Sequence, residues 1–288
     1  MIKTVSILGC GWLGFPLARK LVALGYTVKG STTSTGKIQV LKNSNIIPFH
    51  LTCSDASVNG DHVADFFETH QLFVNIPFKR DLVNPFVYVD QMKAVSDCAK
   101  KSGIKKVIFA SSISVYPLNN QTAREDDSLE PEDDRTKALL EAEKIFLNDR
   151  NFCTTVIRFA GLYGHDREIA HFLRSGRVTS KNGDAPVNLI HLDDCIEIVT
   201  AVLEKEYCSE IFNACGDAHP LRKDLYTHAA IAMRVKQPVF NGHAVHQYKI
   251  VSNDKIKNVL SYRFIHPGPW GWIDQSVKRN SDGSDRPL

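Results

Sequence analysis

The sequence predicts an α/β protein, a doubly wound parallel sheet with a smaller α+β region towards its C-terminal end. Three observations predict it. Short apolar, β-branched runs alternate with longer amphipathic stretches up to Arg158. A glycine-rich turn directly follows the first of those runs. Beyond Arg158 the rhythm loosens into shorter, irregular pieces. Continuous apolar strands joined by helices are the pattern of a parallel sheet covered on both faces, and such a sheet binds ligands at the carboxyl ends of its strands.

The elements follow in order. Strands are expected at Val5–Leu8, Thr27–Gly30, Ile46–Phe49, Leu72–Asn75, Lys106–Ala110, Thr154–Arg158 and, later, Glu210–Ala214. Helical periodicity runs through Trp12–Leu24, Lys37–Leu41, Val63–Glu68, Pro85–Lys101, Pro131–Phe146 and Leu192–Glu204. A turn-rich piece, Ser175–Pro186, leads to the apolar Val187–His191, and Pro220–Leu260 reads as a small irregular α+β region. The polar tail Asn280–Leu288 is expected to fray.

Composition narrows the function. The 288 residues are 43% hydrophobic and 23% charged, which is a globular profile and not a disordered one. A formal charge of +3 is too small to imply nucleic acid or a membrane surface as a partner. No apolar run reaches the roughly 18 residues of a membrane span, and the apolar start, Val5–Leu8, is too short for a signal peptide. Seven cysteines, odd in number and widely spaced without a CxxC pair, read as reduced thiols in a cytoplasmic protein. The 11 histidines are scattered; His243 and His246 are the closest pair but have no carboxylate or cysteine at ligand spacing, so no metal site is expected.

The chemistry starts at Gly9-Cys10-Gly11-Trp12-Leu13-Gly14. This GxGxxG lies between a strand and a helix, the context a dinucleotide site requires. Gly9 permits the tight turn, Gly11 lets the backbone approach a pyrophosphate, and Gly14 lets the helix pack on the strand. Trp12 and Leu13 line the same turn, whose helix N-terminus offers free N–H groups to phosphate. An NAD site also needs an acid about 20 residues on, to hold the ribose hydroxyls. None stands there, and no Asp or Glu precedes Asp55. Ser31, Thr32 and Thr33 leave room for a 2′-phosphate and Lys37 is placed to neutralise it. NADP is therefore expected over NAD. Asn75 and Pro77, after the fourth strand, border the cofactor, with Phe78 adding an apolar wall.

A longer series of motifs now stands in order. Phe109-Ala110-Ser111-Ser112-Ile113-Ser114-Val115-Tyr116-Pro117 comes after the glycine turn. Then come Glu125, Pro131, Thr136-Lys137, Glu141, and Val156-Ile157-Arg158-Phe159-Ala160-Gly161-Leu162-Tyr163-Gly164. Asn188-Leu189-Ile190-His191-Leu192-Asp193-Asp194 and Phe212-Asn213-Ala214-Cys215-Gly216-Asp217 close the series. The set resembles the extended short-chain dehydrogenase/reductases, the NAD-dependent epimerase/dehydratase group. That resemblance implies a Rossmann domain, expected at 1–164. It also implies a smaller substrate domain within 165–279, with 187–217 returning to the Rossmann core and 280–288 as a tail.

The resemblance also implies a catalytic Ser, Tyr and Lys. Ser112 matches the Ser, which holds the substrate oxygen. Lys137 matches the Lys, which lowers the Tyr pKa and holds the nicotinamide ribose. Where the Tyr belongs stands Asp133. A phenol titrates near about 10 and a carboxylate near about 4, so Asp133 is not an equivalent acid at neutral pH. It reads instead as an acid in a helix's first turn, paired with Lys137 at i,i+4. Tyr116 and Tyr163 are the two phenols positioned to replace the lost one. The glycine spacing departs too, since extended members carry GxxGxxG. Together these departures resemble the atypical short-chain dehydrogenase/reductases.

Two functions stay open. One is an NADP-dependent oxidoreductase or epimerase acting on a carbonyl or sugar-like small molecule. The other is a non-catalytic NADP-binding sensor. A homodimer is compatible with both. The loop Arg124–Arg135 holds seven acids, read either as a solvated loop or as a field that disfavours a polyanionic nucleotide-sugar. Arg167, Arg174, Arg177 and Lys181 are placed to receive an anion.

Overall fold

The computed structural model describes residues 3–54, 57–79, 82–169, 182–205, 207–240 and 247–281. Residues 170–181 lie outside the described residues, and with them most of the expected turn-rich piece and Arg174, Arg177 and Lys181.

Two compact units divide the chain: one comprises 1–117, 128–158 and 196–212, the other 118–127, 159–195 and 213–288. The stretch that returns to the first unit is thus 196–212, shorter than the 187–217 expected, and the acidic loop is shared between the units at Asp127.

The first unit is an eight-stranded sheet. Its strands are β1 (Thr4–Leu8), β2 (Thr27–Thr32), β3 (Ile47–Cys53), β4 (Val58–Gly60), β5 (Gln71–Val74), β6 (Lys106–Ser112), β8 (Cys153–Phe159) and β11 (Glu210–Ala214). Their order is β11-β8-β6-β5-β1-β2-β3-β4. β1 pairs in parallel with both β2 and β5, so the chain's direction of winding reverses between β1 and β5. That reversal is the topological switch point, where open α/β sheets bind ligands. Val5, Ser6, Ile7 and Leu8 are all buried, so both faces of β1 are covered, and the Ser6 hydroxyl donates to the Phe66 carbonyl at 2.6 Å. β4 is antiparallel to β3 and was invisible in the sequence because it is only three residues long.

Five helices connect these strands: α1 (Gly14–Ala23), α2 (Ile38–Asn43), α3 (Val63–Phe67), α4 (Phe86–Lys101) and α5 (Asp134–Leu147). α1 buries Gly14, Leu17, Ala18 and Leu21, one helical face at i, i+3, i+4 and i+7. Cys153 and Cys208 form a disulfide, which corrects the expectation of seven free thiols. They stand 55 residues apart in sequence and meet because β8 and β11 are neighbours. The other five cysteines are free.

The second unit holds two parallel strand pairs, β7 (Gln121–Ala123) with β12 (Lys249–Val251), and β9 (Gly161–Tyr163) with β10 (Leu189–His191). Helix α6 (Leu192–Glu204) starts here, followed later by α7 (Arg222–Ala232), α8 (Asp254–Val259) and α9 (Trp270–Ser281). Tyr163, Ile169, Leu189, Leu225, Tyr226 and Trp272 lead its core. α9 carries part of the stretch expected to fray, and only 282–288 of that tail falls outside the described residues.

Candidate dinucleotide site

The site is assembled where β1 and β5 end. Gly9 leaves β1 at φ 111°, in the region that favours glycine, and a Cβ there would stand 2.6 Å from the Asn75 carbonyl oxygen. Gly14 opens α1, and a Cβ there would stand 2.2 Å from the Gly9 carbonyl oxygen. Gly11 differs from both, since a Cβ would meet nothing within 4 Å. Two residues hold the turn and one faces open space at a helix N-terminus. Trp12 is half-buried at its rim, and Leu13 is buried.

Neighbouring strands brace the turn. The Asn75 side chain donates to the Gly9 carbonyl at 2.9 Å, and the Asn75 amide donates to Leu8 at 2.9 Å. From the other side the Gly9 amide donates to the Ser31 hydroxyl at 2.9 Å, and the Cys10 amide donates to the Ser31 carbonyl at 2.7 Å. Ser31 is buried and spends its hydroxyl on the turn. Thr32 is also buried, accepting from the Ser34 amide at 3.1 Å. Thr33 and Lys37 are exposed. Cys10 lies beneath the turn, where burial pushes its thiol up to about 12 and keeps it unreactive.

Asn75 continues into Pro77, which is exposed, and Phe78, which packs edge-on against Tyr88 at 5.0 Å. The Tyr88 hydroxyl donates to the Ile76 carbonyl at 3.0 Å and fixes this loop. Arg135, which the sequence reading did not single out, reaches it from the first turn of α5. Its guanidinium lies 5.1 Å from the Phe78 ring centroid. A lone arginine two residues from Asp133 carries no spacing signal that would have revealed it.

Ser112 ends β6, half-buried, and accepts from the Ser114 amide at 3.1 Å while sharing a 2.9 Å hydrogen bond with the Ser114 hydroxyl. Asp133 is the N-cap of α5: its extended backbone precedes the helix, and its carboxylate accepts from the Thr136 amide at 2.7 Å. That bond holds its carboxyl below the ordinary value. Lys137 is exposed, its ammonium 5.7 Å from the Phe86 ring centroid. The expected Asp133–Lys137 side-chain pair is therefore replaced by a helix cap and a cation–π contact.

Both alternative tyrosines are buried. In the first unit, Tyr116 accepts from Arg158 at 2.8 Å. Arg158 is in turn bidentate to Glu143, at 3.0 and 2.7 Å, and Ser111 donates to the same carboxylate at 2.6 Å. In the second unit, Tyr163 closes β9, and burial raises its hydroxyl above the ordinary phenol value. That hydroxyl has no hydrogen-bond partner among the described residues.

Comparison with known proteins adds to this geometry. Residues 5–215 match the profile of the NAD dependent epimerase/dehydratase family. Protein YeeZ of Escherichia coli K12 is 30% identical over 270 residues, covering 93% of this chain and 98% of YeeZ. A UDP-glucuronic acid 4-epimerase from Bacillus cereus, solved with NAD, superposes with a TM-score of 0.77 at 17% identity, covering 97% and 98% of the two chains. A short-chain dehydrogenase/reductase superfamily protein from Agrobacterium tumefaciens with bound NAD gives 0.76 at 15% identity, covering 98% of each.

Proposed function

The chain belongs to the NAD dependent epimerase/dehydratase family, and on that premise we propose that it is an NADP-preferring oxidoreductase or epimerase-type enzyme acting on a carbonyl or sugar-like small molecule. The observation that carries this reading is Gly11, whose missing side chain faces open space at the N-terminus of α1 and beside the sheet's switch point. A pyrophosphate fits there, on amides the helix leaves free. The residues suit NADP because no acid precedes Asp55, while exposed Thr33 and Lys37 follow β2.

Bound NADP would supply a hydride donor or acceptor. Ser112 would hydrogen-bond the substrate oxygen and polarise it, turning its hydroxyl away from Ser114. Lys137 would leave the Phe86 ring to hold a ribose hydroxyl. Asp133, ionised and spent on capping α5, would move no proton. Turnover with NADPH across a panel of aldehydes, ketones and keto-sugars tests the reading.

One observation favours a second reading, a non-catalytic sensor. The Tyr position is a helix cap, and Tyr116 is committed to Arg158. Saturable NADPH binding with no turnover over that panel would select the sensor.

A further inference from the structure

A second group of titratable side chains lies in the other unit and has no part in the dinucleotide site. Three loops carry it. Gly164 and His165 follow β9 at φ 116° and 49°. His191 ends β10, and Asp193 stands in the first turn of α6. His266 lies between α8 and α9. Each imidazole directs a nitrogen at the same carboxylate. His165 Nε2 is 2.8 Å from Asp193 Oδ1, His266 Nε2 is 3.1 Å from Oδ2, and His191 Nδ1 is 3.4 Å from Oδ2. The ligating atoms of His191, Asp193 and His266 all lie within 4.8 Å of one another.

We propose that His191, Asp193 and His266 form a binding site for a divalent transition-metal ion of the zinc type, with His165 holding the other oxygen of the Asp193 carboxylate. Imidazole nitrogens with one carboxylate oxygen are the donor set such ions take. Bonds of about 2.0–2.2 Å in a tetrahedron bring ligand atoms roughly 3.3 Å apart, close to the 3.1 and 3.4 Å between Asp193 and the nitrogens of His266 and His191. Sequence spacing hides the site, because its members come from three separate segments, at His165, His191–Asp193 and His266.

Two features hold the donors in place. Buried Asp194 accepts from the Ile265 amide at 2.7 Å, the His266 amide at 3.1 Å and the Tyr262 hydroxyl at 2.8 Å, anchoring the loop that carries His266. A Cβ at Gly164 would stand 2.4 Å from His191 Nε2, so only glycine admits the ring. His191 Nδ1 accepts the Asp193 amide at 3.1 Å, and metal binding exchanges that bond for the ion. The amide it releases is in a helix's first turn, where water or a side chain takes the place of an intrahelical partner.

Trp272 makes the test direct. Its ring centroid lies 4.2 Å from His191 and 5.6 Å from both His165 and His266. Full-length, tag-free protein is stripped with chelator, desalted, and titrated with Co2+ by tryptophan fluorescence and with Zn2+ by calorimetry. Expected are a saturable quench by Co2+, lost in Trp272→Phe, and a one-to-one Zn2+ heat kept in that variant. His266→Gln and the more exposed His165→Gln should each weaken Zn2+ binding by roughly tenfold or more. His228→Gln, from the separate His228–Asp274 pair, should not. No saturable Zn2+ heat, or wild-type affinity in His266→Gln, would overturn the proposal. Neither readout depends on NADP binding or turnover.

Discussion

Gly11 and Gly14 stand three positions apart and should fail for opposite reasons. Gly14→Ala drives a Cβ to 2.2 Å from a backbone carbonyl, so the expected loss is in folding, read as a lowered melting temperature. Gly11→Val meets open space, so the protein should melt normally yet show no saturable NADPH fluorescence change. Ser31→Ala strands the half-buried Gly9 amide and should cost about 1–3 kcal/mol in denaturant unfolding. Lys137→Met should weaken NADPH binding by about 1–3 kcal/mol if the ammonium reaches the ribose; an unchanged dissociation constant leaves it a surface cation on Phe86. The turn and packing roles of Gly9 and Gly14 were legible because a strand-to-helix turn permits so few alternatives. Ser31 was not, since a serine at a strand end reads equally as ligand contact or as brace, and only tertiary contacts with Gly9 decide.

At the scale of elements, α5 concentrates the departures from the family pattern. Asp133→Ala should remove the cap and destabilise the protein by about 1 kcal/mol at neutral pH, whereas Asp133→Asn, also a good cap, should not. The two residues separate under acid. The Asp133 carboxyl is depressed in the folded state, so its contribution is present above the unfolded value of about 4 and fades as pH falls below it. Asp133→Asn should flatten that part of the acid-unfolding profile. Further along α5, Glu143→Ala leaves buried Arg158 without its bidentate partner and should cost about 3–5 kcal/mol. Ser112→Ala, at the end of β6, should cost on the order of 10²-fold in kcat on any substrate that turns over. The long strands and helices were legible because their burial is one-sided or complete over many residues. β7, β9 and β12 were not: each has three residues, and each pairs with a strand distant in sequence or of equal brevity. α9 was hidden by its opening Trp270-Gly271-Trp272, where glycine weakens the helical signal.

For the whole molecule, the claim is that one end of the sheet binds NADP. Ligand that binds only the folded state stabilises it by about 2.7 kcal/mol at a hundred times its dissociation constant, so NADPH should raise the melting temperature more than equimolar NADH does. The proposed preference rests on what the chain lacks, an acid after β2, together with exposed Thr33 and Lys37. The most direct measurement is a paired fluorescence titration of the full chain with NADPH and NADH, with Gly11→Val as the control. The account predicts tight, saturable NADPH binding, weaker NADH binding, and loss of both in the variant. Equal or tighter NADH binding would contradict the cofactor assignment, and saturable binding that survives Gly11→Val would contradict the site itself.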